Sequence, residues 1–414
     1  MNKCLAKIAA AGVVFLIATC ILMAIPVYAS SGDYFIARAP IPVALGVEGG
    51  ATVNSQIYVF GQDGSGKPLT YAYNPTADNW IAAAPMPISR STFGLIACNN
   101  KIYAIGGVTG YNSNGLALST GANEMYDPST NTWTPKASMP TNRSEVEAVA
   151  ANGKIYVMGG RTAGAQSTVS ITEIYDPIAD LWISGASMPY PVVLAASAVV
   201  DNKIYVIGGQ DEFLGSKENP VSPNVQFNQI YNTATNSWSI GQSLPQSVWQ
   251  AVGAATVGVN APKRVYVIGG LDGNSGSPTA ANQIYNPVTD SWTLGAAFPT
   301  THDYVTNTLS TVNLNDSIYV VGGLARANEG FYEITEQYVP TDYNGTVLPE
   351  QPISTPTSTP STSPTNSPIE SVSPTPSIPE FPALTILLLL AVLVVTGLLV
   401  YFKRHKQGKL DEHE

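Results

Sequence analysis

The sequence predicts an all-β domain built from six repeated four-stranded units, and three observations carry that prediction. A short β-branched run ending in glycine occurs six times, at Ile57-Tyr58-Val59-Phe60-Gly61-Gln62, Ile102-Tyr103-Ala104-Ile105-Gly106-Gly107, Ile155-Tyr156-Val157-Met158-Gly159-Gly160, Ile204-Tyr205-Val206-Ile207-Gly208-Gly209, Val265-Tyr266-Val267-Ile268-Gly269-Gly270 and Ile318-Tyr319-Val320-Val321-Gly322-Gly323. Their first glycines are 45, 53, 49, 61 and 53 residues apart. A tyrosine is followed seven residues later by tryptophan in five of the units, at Tyr73/Trp80, Tyr126/Trp133, Tyr175/Trp182, Tyr231/Trp238 and Tyr285/Trp292. The constant offset beside variable preceding loops marks the Tyr-to-Trp piece as one rigid unit.

Each strand has a local reason. Glu145 to Ala151 is a strand-like stretch followed by Asn152-Gly153, a two-residue hairpin turn into Lys154. The Ile-Tyr-Val-Ile runs are short and β-branched, as buried strands are. In Tyr126 to Trp133, Asp127-Pro128 starts a type I turn and Asn131 can take a left-handed conformation. With Asp127 opposite Thr132, Tyr126 falls opposite Trp133 on the same face, an aromatic cross-strand pair that stabilises sheets.

Four-stranded repeats of about 50 residues with paired glycines and a Tyr/Trp couple resemble the kelch family of β-propellers over residues 33 to 340. The resemblance implies six blades around a central channel with the first strand of each innermost. Unit 1 departs from the pattern by carrying Gln62 in place of the second glycine, and unit 6 has Tyr338 but Gly345 where tryptophan is expected. The missing strand stands at the other end: Asp33 to Pro42 parallels Asp78 to Pro87, with Phe35 in the tryptophan place. The N-terminal strand is therefore expected to complete the last blade, leaving no open sheet edge between the termini.

The propeller occupies residues 30–348 of a chain with further segments. Residues 1–29 read as a secretory signal: Lys3 and Lys7, an uncharged run from Ile8 to Ile25, and Val27-Tyr28-Ala29 before the cleavage position, with an uncleaved anchor as the alternative. Residues 349–379 contain 9 Pro and 14 Ser/Thr, the composition of an extended stalk reaching roughly 90 Å at ~3.1 Å per residue. Residues 380–402 hold Pro379-adjacent Glu380-Phe381-Pro382 and then Leu384 to Phe402, 19 residues without a charge, a length that spans a bilayer as a transmembrane helix. The tail 403–414 opens with Lys403, Arg404 and Lys406, which places it on the cytoplasmic side and the propeller outside. The order of PEFP, apolar helix and basic cluster resembles archaeal PEF-type sorting signals, which implies a sortase-like processing protease; a permanent anchor is the other reading. Asn142-Arg143-Ser144, Asn315-Asp316-Ser317 and Asn344-Gly345-Thr346 are N-glycosylation sequons for an exported chain.

Composition removes several function classes. Residues 30–379 carry 13 basic against 25 acidic groups, which argues against nucleic acid. Cys98 is the one cysteine of the body, so no intramolecular disulfide forms there after signal removal, and its place in an innermost strand suits a small core residue. His302 is the one histidine outside the tail, which excludes sites needing two imidazoles, the copper oxidases of this family among them. No metal, cofactor or catalytic residue is expected. Asp63 to Gly66 and Asp272 to Gly276 resemble calcium loops, but lack the following carboxylates and read better as turns.

Function is expected on the face that carries the loops from second to third strand and from fourth to next first strand, where length varies. The third residue after each Met-Pro-like proline is Leu45, Arg90, Arg143, Val192, Val248 and His302, and the family's usual arginine stands at Arg90 and Arg143. Arg90, Arg143 and Arg161, with Trp249 and His302, are the candidate ligand-binding residues for an acidic or glycan ligand. The competing reading is that these arginines bond carbonyls between blades. A cell-surface module that binds a glycan, peptide or envelope protein is favoured over catalysis, because repeat residues account for nearly every informative position. The alternative is an acidic-sugar enzyme, epimerase-like or hydrolase-like, that uses the arginine cluster.

Overall fold

The Tyr-to-Trp segments all fold as antiparallel hairpins with the two aromatic residues directly opposite: Tyr73 and Trp80, Tyr126 and Trp133, Tyr175 and Trp182, Tyr231 and Trp238, Tyr285 and Trp292. Their ring centroids lie 5.0–5.2 Å apart. The computed structural model describes residues 32–162, 167–210, 226–299, 309–323 and 333–347. The segments expected to form the signal, stalk, transmembrane helix and basic tail, and also His302, lie outside the described residues; within the described residues no helix is long and apolar enough to cross a membrane.

These hairpins are the outer halves of five of the six four-stranded sheets, in which the strands run outward in chain order. The innermost strands are Gly46–Val53, Gly94–Cys98, Glu147–Ala151, Ala196–Val200, Val252–Thr256 and Leu309–Leu314. They are rich in Gly, Ala and Ser because the blades converge at the axis. A Cβ at Gly94 would stand 2.6 Å from the Ala148 Cβ, and one at Gly253 2.4 Å from the Ser197 carbonyl oxygen. Most inner hairpins close on paired left-handed residues, such as Asn99/Asn100 and Asn152/Gly153, the type I′ geometry that matches strand twist. Blade 5 instead carries an insertion at 257–263, clasped by the buried Asp316 of blade 6, whose carboxylate accepts the backbone N–H groups of Val257, Val259, Asn260 and Ala261.

Blade 6 is completed by Tyr34–Ala37, which pairs with Thr335–Val339 and sets Phe35 opposite Tyr338. The expected closure by the N-terminal strand is therefore present, and the fold is an all-β, six-bladed propeller. One apolar layer fills each of the six joints between neighbouring blades, for example Val149 and Met158 of blade 3 against Ile204, Val206 and Tyr231 of blade 4.

A polar staple repeats beside each layer. The turn residue five after the tyrosine, Asp78, Asn131, Asp180, Asn236 or Asp290, has φ of 48–55°, which Asn and Asp tolerate better than other side chains. Its oxygen accepts the tyrosine hydroxyl at 2.5–2.7 Å and a backbone N–H of the preceding blade at 2.7–2.9 Å. The indole N–H returns to the carbonyl of that same preceding residue at 2.8–3.0 Å. At the sixth joint Asp33 takes the role, accepting from the Tyr338 hydroxyl and from the Ala296 N–H. The staple explains why the Tyr-to-Trp offset is invariant: it positions three groups at once.

Candidate functional site

The variable face begins where the glycine pairs end the second strands. Gly106/Gly107, Gly159/Gly160, Gly208/Gly209 and Gly269/Gly270 all have φ between 62° and 98°. A Cβ at Gly106, Gly159 or Gly208 would meet a carbonyl oxygen of the next blade at 2.5 Å, so the close approach requires glycine. The N–H of the second glycine donates to that carbonyl, Gly107 to Arg143, Gly160 to Val192 and Gly209 to Val248. In blade 1, where Gln62 replaces the second glycine, the strand runs on to Gln62 and its side-chain amide donates to the Arg90 carbonyl at 2.9 Å.

Arg90 and Arg143 stand at those junctions, but they point into the protein. They are 1% and 0% exposed. Arg90 pairs with Glu124 at 2.8 Å and donates to the carbonyls of Ala104, Gly106 and Ala122. Arg143 pairs with Glu173 at 2.7 Å and donates to the carbonyls of Val157, Gly159 and Ile171. Burial pulls both guanidinium pKa values down, and the adjacent glutamate opposes the fall. The expectation that these two arginines hold a ligand is corrected: each guanidinium fills the gap where its own blade's second and third strands diverge, neutralising a carboxylate and donating to carbonyls at the ends of both strands. Blades 4 and 5 solve the same problem without charge. Val192 and Val248 stand in the arginine place, and Gln229 and Gln283 replace the glutamate and bond both ways to the backbone of Tyr190 and Gln246.

The remaining candidates are not brought together. Arg161 is half-buried in blade 3, where its neighbour across a short ribbon is Ser144 and its guanidinium lies 3.5 Å from Glu145. Trp249 pairs with Leu271 in blade 5. Asp63 and Asp272 use their carboxylates on local bonds, Asp63 accepting the Ser65 and Lys67 N–H groups and Asp272 the Asn274 and Ser275 N–H groups and the Gln246 side-chain amide. Cys98 is buried. Among the described residues no three His, Cys, Asp or Glu side chains gather as metal ligands.

What the face does present is a channel and a ribbon. The channel along the axis has a volume of about 460 Å³, and among the described residues its wall carries Glu48, Glu145 and Glu147 but no Lys, Arg or His. Near its mouth a left-handed residue interrupts the inner strand of four blades: Thr92, Glu145, Leu194 and Gln250, with φ of 51–57°. In blade 1 Glu48 sits in the equivalent bulge. Side chains with a Cβ resist this conformation, and Thr92 resists it most; the cost is offset by links between blades. Glu145 N–H donates to Thr92 and Gln250 N–H to Leu194, each at 2.8 Å, and Thr92 N–H donates to the Glu48 carboxylate at 2.7 Å. Between blades 3 and 4 the link is the Glu147 carboxylate, which accepts the Ser197 hydroxyl at 2.6 Å. The four left-handed residues all differ in type, which is why the repeat alignment does not expose them.

Burial raises the carboxyl pKa of Glu48 and of Glu147 to about 7, against partial opposition from the Thr92 N–H at the first and from the Ser197 hydroxyl and Ala195 N–H at the second. A carboxyl with a raised folded-state pKa binds more protons folded than unfolded, so stability is greatest below the unfolded value near 4.5 and falls as pH rises towards 7. Between pH 5.5 and 7.5 this amounts to about 1–2 kcal/mol per group, the lower figure allowing for their partial exposure to the channel. Denaturant titrations at the two pH values should give the propeller higher stability at pH 5.5, and the Glu48→Gln, Glu147→Gln double variant should lose that difference. A double variant with the parent's pH dependence would place the proton uptake elsewhere.

The ribbon is the loop between the second and third strands of blade 2. Val108–Tyr111 and Ala117–Ser119 pair as a two-stranded projection whose tip is tied by the Asn112 side chain to the N–H groups of Asn114 and Leu116. It leaves Tyr111 69% and Leu118 46% exposed. The other long loop, from Gln210 to Asn228, falls mostly outside the described residues.

Comparison with known proteins agrees with this architecture. The solved structure of YjhT superposes with a TM-score of 0.58 at 17% identity, covering 72% of this chain and 95% of that one. Mouse Kelch-like protein 35 is 36% identical over 94 residues, 23% of this chain and 15% of its own length. Kelch-like protein terF of Aspergillus terreus is 30% identical over 132 residues, 30% of this chain and 27% of its own length. The chain thus spans under a third of the length of either curated relative. The family model of the Attractin/LZTR1 β-propeller matches residues 110–341, more than half of the chain. With its paired glycines, its Tyr/Trp hairpins and its N-terminal closing strand, the chain belongs to the kelch-repeat propellers of the Attractin/LZTR1 family.

Proposed function

We propose that this propeller is a protein-binding module that works outside the cell, tethered through its C-terminal apolar helix, and that it contacts its partner with the face bearing the blade 2 ribbon. One observation carries the placement: Tyr111 and Leu118 are large apolar side chains held out on a projecting, internally bonded ribbon, where they serve no core. Exposed aromatic and aliphatic anchors of this kind supply much of the energy of protein interfaces. The carboxyl groups of the channel wall favour a neutral or basic partner surface over an anionic one. An envelope protein or peptide fits this better than an acidic glycan. The acidic-sugar enzyme reading loses its cations, since Arg90, Arg143 and Arg161 face Glu124, Glu173 and Glu145.

The test is crosslinking of the full chain on intact cells, followed by recovery of its neighbours. Tyr111→Ala combined with Leu118→Ala should reduce the recovered partner about tenfold, the loss expected when interface anchors are truncated, while the melting temperature stays at the parental value. Undiminished recovery would move the interface off the ribbon.

A further inference from the structure

We propose that Asn344 is a site of N-linked glycosylation, and that the sequons at Asn142 and Asn315 are closed by the fold. The inference rests on the export reading above. An asparagine transferase must reach two groups of a sequon together, the Asn carboxamide and the hydroxyl two residues later. All three asparagines are exposed, so the hydroxyls decide.

Ser144 is 2% exposed, stands directly after the fully enclosed Arg143 in the ribbon with Arg161, and faces the Ser119 hydroxyl at 3.2 Å. Ser317 is also 2% exposed; its hydroxyl accepts the Gln337 amide at 2.6 Å and donates to the Tyr338 carbonyl. Between Asn315 and Ser317 lies Asp316, whose carboxylate holds four N–H groups of the blade 5 insertion, so this segment cannot be drawn out without opening the joint between blades 5 and 6.

The third sequon is different in kind. Asn344 and Thr346 are both exposed, and they follow the last core strand, Thr335–Val339. Two backbone bonds tie the segment, Tyr343 N–H to the Pro340 carbonyl and Asn344 N–H to the Asn260 carbonyl, and neither engages the carboxamide or the threonine hydroxyl. The donor would be an oligosaccharide linked through phosphate to a polyprenyl lipid. Nδ2 of Asn344 forms the bond to C1 of the sugar, the C1–O bond breaks, the lipid phosphate leaves with the electron pair, and the amide proton passes to a base of the transferase. A glycan there would stand where the propeller meets the Pro/Ser/Thr stalk.

The experiment expresses the full chain in a host that exports and N-glycosylates proteins, removes surface material from intact cells with protease, and maps the released peptides by mass spectrometry before and after enzymatic removal of N-glycans. Asn142→Gln, Asn315→Gln, Asn344→Gln, Thr346→Ala and Thr346→Ser are compared. The glycan mass should disappear in Asn344→Gln and Thr346→Ala, and persist in the other three. Occupancy at Asn142 or Asn315, or a bare Asn344 on released propeller, overturns the proposal and leaves export intact. A chain that protease cannot release from intact cells overturns the export reading and this one with it.

Discussion

Replacing Arg143 by alanine is expected to destabilise the propeller by about 3–5 kcal/mol, the usual cost of breaking a buried ion pair by removing one partner. The loss arises on both sides of the missing guanidinium. Glu173 keeps the Thr141 hydroxyl but loses its buried cation, and the carbonyls of Val157, Gly159 and Ile171 lose the guanidinium donor. The effect on ligand recognition should be small, because the side chain is wholly enclosed. The molecule itself supplies the control. Arg143→Val combined with Glu173→Gln reproduces the side-chain set of blade 4, Val192 with Gln229, in which no charge is buried and the glutamine bonds to the backbone. That double variant should recover about half or more of the stability lost by Arg143→Ala in urea titrations. If the double variant is as unstable as the single one, the arginine is valued for volume and not for its charge, and the ion-pair account is wrong.

The same comparison shows what was legible in the sequence. The Tyr-to-Trp offset could be read directly because one side-chain geometry, tyrosine hydroxyl to turn residue to the preceding blade, admits no insertion. The blade count and the role of Phe35 followed from the same constraint. The arginines were harder, since a cation on the loop face fits a ligand site as well as a brace. The deciding signal was present in the third strands: Glu124 and Glu173 stand two residues before the hairpin tyrosines Tyr126 and Tyr175 in the two blades that have arginine, while Gln229 and Gln283 occupy the same place before Tyr231 and Tyr285 in the two that have valine. The left-handed ring at the channel mouth could not be read. Thr92, Glu145, Leu194 and Gln250 are alike only in backbone, and residues with a Cβ give no warning of a positive φ.

Deleting residues 30–42 is expected to abolish cooperative unfolding of the propeller, the largest effect of any change considered. The deletion removes the outer strand Tyr34–Ala37 and exposes the unpaired edge of Thr335–Val339. It also takes away Asp33, which links the buried Tyr338 hydroxyl to blade 5, and Phe35, which packs edge-on against Phe298 at 5.3 Å. On the other side it removes Ala39, whose N–H donates to Asp78 and whose carbonyl accepts the Trp80 indole N–H of blade 1, and Ile41, buried in the joint between blades 6 and 1. Two of the six joints fail together, and in a ring an open joint frees both neighbours to splay. The described residues hold no disulfide that could keep the ends in place. Denaturant curves followed by tryptophan fluorescence and by far-ultraviolet circular dichroism should then separate into broad, non-coincident transitions, whereas the parent gives one. Asp33→Ala alone, which leaves the strand in place, should keep a single transition and lower its midpoint by the equivalent of about 1–3 kcal/mol, the cost of leaving the Tyr338 hydroxyl and the Ala296 N–H without their acceptor. A truncated chain that unfolds in one step with the parental midpoint would mean that blade 6 is stable on three strands and that the ring is held by its inner layers.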